Sequence, residues 1–210
     1  MVENLSITAG MPMPKVYLIE DDAINAFATG RDPQHASIAM TTGSVEHLLN
    51  EELEGVLAHE LSHVKNFDTR WMMLVAVLVG ALTLLGDLFI RGSFFRRSRD
   101  DREGGNGGMM IVGFIIMLLA PLVGQLIKFA VSRQREYLAD ASGALLTRYP
   151  EGLARALEKI RDSHEPVASA SRATAHLWIS NPFGSKIAGL FSTHPPIDER
   201  IRVLRSMIPS

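Results

Sequence analysis

The chain is 210 residues long, with a formal net charge of −2 at neutral pH and a sequence pI near 6.4. That balance lacks the basic surplus expected of a nucleic-acid-binding surface. There is no cysteine, which excludes disulfides, thiolate metal sites and a cysteine nucleophile. The length allows one ordinary domain, or a small domain combined with membrane segments.

The first residues, MVENLSITAG, lack the basic-then-apolar pattern of a leader and read as soluble. From 15 to 42, short apolar runs alternate with turn residues. KVYLIE, NAFATG and HASIAMTTG each read as a strand, with a turn at Gly30-Arg31-Asp32-Pro33. Together they fit a small antiparallel sheet. From Ser44 the spacing becomes helical. Val45, Leu48 and Leu49 form a short stripe, and a longer helix carries Leu53, Val56, Leu57, Leu61 and Val64, with Asn50 as its N-cap and acids in its first turn.

The mean hydropathy of +0.12 hides a strong segregation. Trp71 to Ile90 carries Asp87 as its only charge, and Met109 to Val131 carries only Lys128. Each block is apolar all round and long enough, at roughly 30 Å per 20 helical residues, to cross a bilayer core. A pair of buried core helices is the alternative, but a chain this small has little other protein to cover them. Asp87 and Lys128 read as snorkelling toward separate interfaces, and Pro121 as a kink. The connecting loop, 91–108, is charged and glycine-rich.

Beyond the second block, SRQREYLADASGALLTRY (132–149) reads as a soluble helix. Residues 151–162 form an amphipathic helix with Leu153, Ala156, Leu157 and Ile160 on one face. PPIDERIRVLRSM opens on prolines suited to a helix start and is expected to bury Ile197, Ile201, Leu204 and Met207.

The chemistry starts at VLAHELSHVK, where His59 and His63 stand four apart with Glu60 after the first. On a helix both imidazoles face one way and can reach one ion, while Glu60 sits beside them as a proton acceptor. The alternative is a helix that merely carries two histidines. Its surroundings are apolar, however, and buried polar groups need partners. A zinc site of this kind requires a third protein ligand. Glu136, in REYLAD, can supply it, with Asp140 accepting the second N–H of a ligand histidine. The alternative for this acidic pair is a solvated face paired with Arg133 or Arg135. Two intervening spans return the chain to the same side of a membrane, so the halves can meet. His35, His47, His164 and His176 lack spacing partners and read as ordinary.

LAHELSHVKNFD, SRQREYLADA and FSTHPPIDERI, in this order, resemble the HtpX-type membrane zinc metalloproteases, related to the CAAX prenyl endopeptidases. The resemblance runs from about Met11 to the C-terminus. It implies an α+β fold: a mainly helical, zincin-like domain with a small antiparallel sheet, interrupted by a transmembrane hairpin. It implies one Zn2+ on His59, His63 and Glu136, Glu60 as general base and acid, and Asp140, Asn66 and Asp68 as supports of the site. His194 and Arg200, in THPPIDER, match a motif near the cleft and suit oxyanion stabilisation. Their alternative is a structural helix start with a surface arginine. Asn25, Ala26 and Phe27, with Ile38, Ala39 and Met40, resemble strands on which an extended peptide adds by β-pairing.

The expected organisation is a catalytic half at 1–70, two spans over 71–131, and a second catalytic half at 132–210. The implied setting is a bacterial or archaeal cell membrane crossed more than once, with misfolded or damaged membrane proteins as substrates and no nucleic acid. Arginines in the 91–108 loop would place that loop in the cytoplasm by the positive-inside rule; the resemblance instead implies a cytoplasmic catalytic domain. Family members carry two further membrane helices before the point where this chain starts, so the resemblance implies a piece or a shortened form. Two rival readings remain: a non-catalytic membrane scaffold, which loss of a ligand would signal, and a prenyl-protein endopeptidase, for which two spans make a sparse lipid chamber.

Overall fold

The structure, a computed structural model, describes residues 1–96, 111, 113–120, 123–124, 133–163, 165–171, 173–182 and 195–208. Helix α1 (Val2–Ala9) precedes strands β1 (Lys15–Ile19), β2 (Ala26–Gly30) and β3 (Ala36–Thr41). Helices α2 (Thr42–His47), α3 (Asn50–Lys65) and α4 (Asp68–Arg96) follow. After the second apolar block come α5 (Arg133–Thr147), α6 (Pro150–Asp162) and α7 (Ile197–Ser206).

The three strands form where the alternation predicts, but the sheet is mixed rather than antiparallel. Its order is β1-β3-β2, with β1 parallel to β3 and β2 antiparallel to it. Alternation marks a strand without stating its direction; the connections decide that. A tight turn, with Asp32 accepting from the His35 N–H at 2.9 Å, folds β3 back on β2. The longer link from β1 crosses to the far edge and is tied down at Asp21 and Asn25 by Thr42 and Thr41.

Helix α3 is the hub. Its Val56, Leu57, Leu61 and Val64 meet Leu153 and Leu157 of α6, Ile201 and Leu204 of α7, and Ile38 of the sheet in one core. Fully burying each such aliphatic side chain contributes about 1.5–3 kcal/mol. The expected face of α6 is buried throughout, at Leu153, Ala156, Leu157 and Ile160. On α7, Ile201 and Leu204 are buried and Ile197 packs at the edge, but Met207 lies beyond the helix and is exposed. The N-cap of α3 is Leu49, one residue before the expected Asn50; the Glu52 carboxylate accepts the Leu49 N–H at 2.8 Å and ties the first turn.

Phe67, at φ 60, turns the chain out of α3 into α4. Over Asp68–Asp87, α4 is long and apolar enough to cross a membrane, with little of that stretch buried against the protein. Val77 and Leu84 are among its exposed apolar side chains. In the second block, residues 113–120 are helical and expose Phe114, Met117 and Leu118. Pro121, Lys128 and most of the rest of that block lie outside the described residues, as do His164 and His194.

Candidate metal centre

Helices α3 and α5 pack face to face, with a glycine at the crossing. A Cβ on Gly143 would stand 3.0 Å from the His59 backbone nitrogen, tighter than ordinary packing, so the glycine lets α5 lie this close without the helices giving way. The approach brings Glu136 opposite His63 and Asp140 opposite His59. His63 Nε2 lies 3.6 Å from Glu136 Oε1, and His59 Nε2 lies 3.9 Å from Glu136 Oε2. One ligand atom from each of these three residues falls within 4.8 Å of the others. Four-residue spacing on both helices thus places the expected pairs at one point.

The tautomers are set from behind. His59 Nδ1 stands 2.9 Å from Asp140 Oδ1, and His63 Nδ1 stands 3.1 Å from Asp68 Oδ2. A carboxylate behind each ring takes the Nδ1–H and turns the Nε2 lone pair forward, the usual arrangement of metal-bound histidines. The two Nε2 atoms face each other at 3.1 Å. A soft-to-borderline cation with a taste for two nitrogens and one oxygen fits this donor set.

The reactive groups are all buried: His59, Glu60, His63 and Glu136 are each 4% exposed or less. Burial pushes His59 down to about 4 despite Asp140. Burial also lowers His63, but Asp68 and Glu136 outweigh it and raise the metal-free ring above its ordinary value, a preference for positive charge that a bound cation would satisfy in place of the Nε2 proton. Burial pushes the Glu60 carboxyl up to about 7, against the opposing pull of the nearby His63 ring and the Ala28 backbone. The acidic pair Glu136 and Asp140 is fully buried, which removes the reading of a solvated face.

Arg200 was expected as a cleft-side oxyanion donor. It is fully buried, its Nε and Nη2 donating to Asp140 at 2.9 and 2.7 Å, while Nη2 also stands 3.5 Å from His59 Nε2 and Nη1 3.7 Å from Glu136 Oε2. Burial raises the Asp140 carboxyl, but Arg200 outweighs this and holds it well below the usual range. Asp68, expected as a support of the site, lies behind His63 at 3.1 Å and is also joined by Arg135 at 3.0 Å. Asn66 does not: it caps the exposed C-terminal end of α3, its N–H bonding to the Ser62 C=O.

Of the expected peptide-pairing strands, β3 is central and has neighbours on both edges, so Ile38, Ala39 and Met40 cannot receive an added strand. Ala26 and Phe27 lie on the edge strand β2, with Asn25 just before it. His176, read as ordinary, is buried, and its Nε2 donates to the Met72 C=O of α4 at 2.7 Å. Sequence reasoning also missed the Trp178-Ile179 contact with β2; a single bridge carries no periodic signal.

The model of peptidase family M48 matches residues 1–208. A protein named Protease HtpX homolog from Dictyoglomus turgidum is 52% identical over 208 residues, covering 99% of this chain and 68% of that protein. A namesake from Tropheryma whipplei is 52% identical over 207 residues, covering 98% of this chain and 70% of its own. The crystal structure of S. mikatae Ste24p superposes with a TM-score of 0.55 at 22% identity, over 97% of this chain and 48% of that one. At that identity the likeness speaks for the fold alone. The match over nearly the whole chain, laid on helices that already converge on a metal-ready point, means that the chain belongs to peptidase family M48 and is a metalloprotease.

Proposed function

We propose that the chain is a zinc-dependent endopeptidase of a bacterial or archaeal cell membrane that cuts unfolded or damaged membrane proteins. The observation that carries the zinc reading is the pair of Nε2 atoms facing each other with a carboxylate behind each Nδ1. Residues 1–70 and 132–210 make up the catalytic part in this reading, and 71–131 anchor it, with the active site on the cytoplasmic side. The quality-control role and the substrates rest on resemblance to HtpX-type proteases.

His59, His63 and Glu136 would hold the ion. Once bound, zinc would make its water acidic and polarise the carbonyl of the scissile bond. Glu60 takes the proton of the attacking water; with burial lifting its carboxyl to about 7, the group is a competent acceptor and donor near neutral pH. The same carboxyl then delivers that proton to the leaving nitrogen. Asp140 and Asp68 keep the imidazoles in the ligand tautomer, and Arg200 fixes Asp140. His194 remains proposed as an oxyanion donor on the motif alone.

The test is cleavage of an unfolded protein by detergent-purified, zinc-loaded chain, set against Glu60→Gln. Loss of the proton acceptor should slow turnover on the order of 10²–10⁴-fold, with bound zinc unchanged. Equal rates in the two proteins would remove Glu60 from the reaction.

A further inference from the structure

In an antiparallel pair, successive residues turn their backbone groups to opposite edges. The Asn25 C=O accepts the Thr41 N–H at 3.0 Å, and Phe27 is paired with Ala39, so both face β3. Ala26 and Ala28 therefore face the outer edge, where the Ala28 backbone lies near Glu60. An extended peptide adding to β2 would need these same groups.

They are already engaged. Phe27 and Trp178 form an antiparallel bridge, their rings meeting edge-on at 4.8 Å between centroids. Ile179 N–H donates to Ala26 C=O at 2.9 Å. Asn25 Nδ2 reaches Ser180 Oγ at 3.2 Å and Ser180 C=O at 3.4 Å, and Arg200 Nη1 donates to Ile179 C=O at 3.3 Å. Upstream, the short 3-10 turn Ala175–Leu177 is anchored on α4 through His176 and Met72.

We propose that residues 177–180 are an internal stand-in for substrate, lying on the peptide-pairing edge of β2 beside Glu60, and that a polypeptide binds only by displacing them. The proposal rests on the metalloprotease reading above. Three observations carry it. The reactive residues are buried, and the outer edge of β2 is already taken by 178–180. The hydrogen bonding to β2 is sparse: one short backbone bond from Ile179 N–H to Ala26 C=O, with the Asn25 contacts at Ser180 at 3.2 and 3.4 Å, toward the long limit of hydrogen bonding. The Trp178 indole N–H is buried and, among the described residues, has no hydrogen-bond partner, a cost that release relieves. Ile179 sits in the main core, which opposes release until an incoming side chain replaces it. In this reading His176 stays bonded to the Met72 C=O of α4 while 177–180 leaves β2.

The test locks the segment in place. Cα atoms of a non-hydrogen-bonded antiparallel pair lie about 4.5 Å apart, within disulfide range, and the chain has no cysteine to interfere. In the zinc-loaded full chain, Phe27→Cys with Trp178→Cys should cut β-casein at least about tenfold more slowly when oxidised than after a phosphine reductant. Equal rates in the two states would overturn the proposal. If the double variant is inactive in both, hydrogen exchange in Glu60→Gln protein decides. Casein should speed exchange of the Ile179 amide, and an unchanged or slower rate overturns the proposal. Wild-type protein that leaves casein intact would sink the peptidase reading, while the exchange result still reports on the segment.

Discussion

His63 Nδ1 is held at 3.1 Å by the Oδ2 of Asp68, the first residue of α4, so a metal-site imidazole is fixed by the long apolar helix that follows α3. Arg135 of α5 joins the same carboxylate through its other oxygen at 3.0 Å. Three helices are thereby tied behind one ligand.

Replacing Asp68 by Asn should leave the fold intact and weaken zinc binding about 10–100-fold, the usual cost of losing a carboxylate behind a ligand histidine. Competition with a chromophoric chelator measures this. An unchanged affinity would mean that Asp68 does not orient His63.

Asp140→Asn should be among the most destabilising single changes in the catalytic part. Arg200 is fully buried, and Asp140 supplies its two shortest hydrogen bonds. Glu136, at 3.7 Å, is the carboxylate left to Arg200, and breaking a buried ion pair by removing one partner costs about 3–5 kcal/mol. Thermal unfolding in detergent should show a large drop for the single variant. Arg200→Met added to it should recover part of that loss, because the stranded charge is gone.

Gly143→Val tests the helix crossing. The Cβ alone meets His59 N at 3.0 Å and Ala58 C at 3.2 Å, both backbone atoms that cannot swing aside. Separating α3 and α5 should cost about 1–3 kcal/mol and lower zinc occupancy, since Glu136 is carried away from the histidines. Metal analysis on the purified variant reads the second effect. Full occupancy would show that the centre tolerates a looser crossing.

Acid weakens the clasp between α6 and α7. Arg205 binds Glu151 and Glu158 and holds the Glu151 carboxyl below its ordinary 4.5. A depressed folded-state pKa adds stability that is fully present above 4.5 and is lost as pH falls through the lower, folded value. Arg205→Ala should therefore be slightly less stable than wild type near neutrality, with the gap closing under acid. Unfolding midpoints of both proteins across pH show it, and a gap that widens under acid would contradict the sign.

The local arithmetic of the chain was legible without a structure. Four-residue spacing on a helix puts two side chains on one face whatever surrounds them, so His59 with His63 and Glu136 with Asp140 could be paired on sight. The apolar face of α6 and the apolar length of α4 were equally plain, because helix period and helix rise are local properties. Direction and partnership were not. The same alternation suits a parallel or an antiparallel strand, and the link around Asp21 and Asn25 made the sheet mixed. Arg200 reads as a surface or cleft arginine until α7 packs and carries it 60 residues back along the chain to Asp140. Asn66 and Asp68 stand two apart, yet the turn at Phe67 leaves one in solvent and the other behind His63. The sequence by itself determined which side chains could share an ion. Only the tertiary structure decided what stands behind them and what lies across the β2 edge, because contacts between distant segments come from packing and burial rather than from spacing.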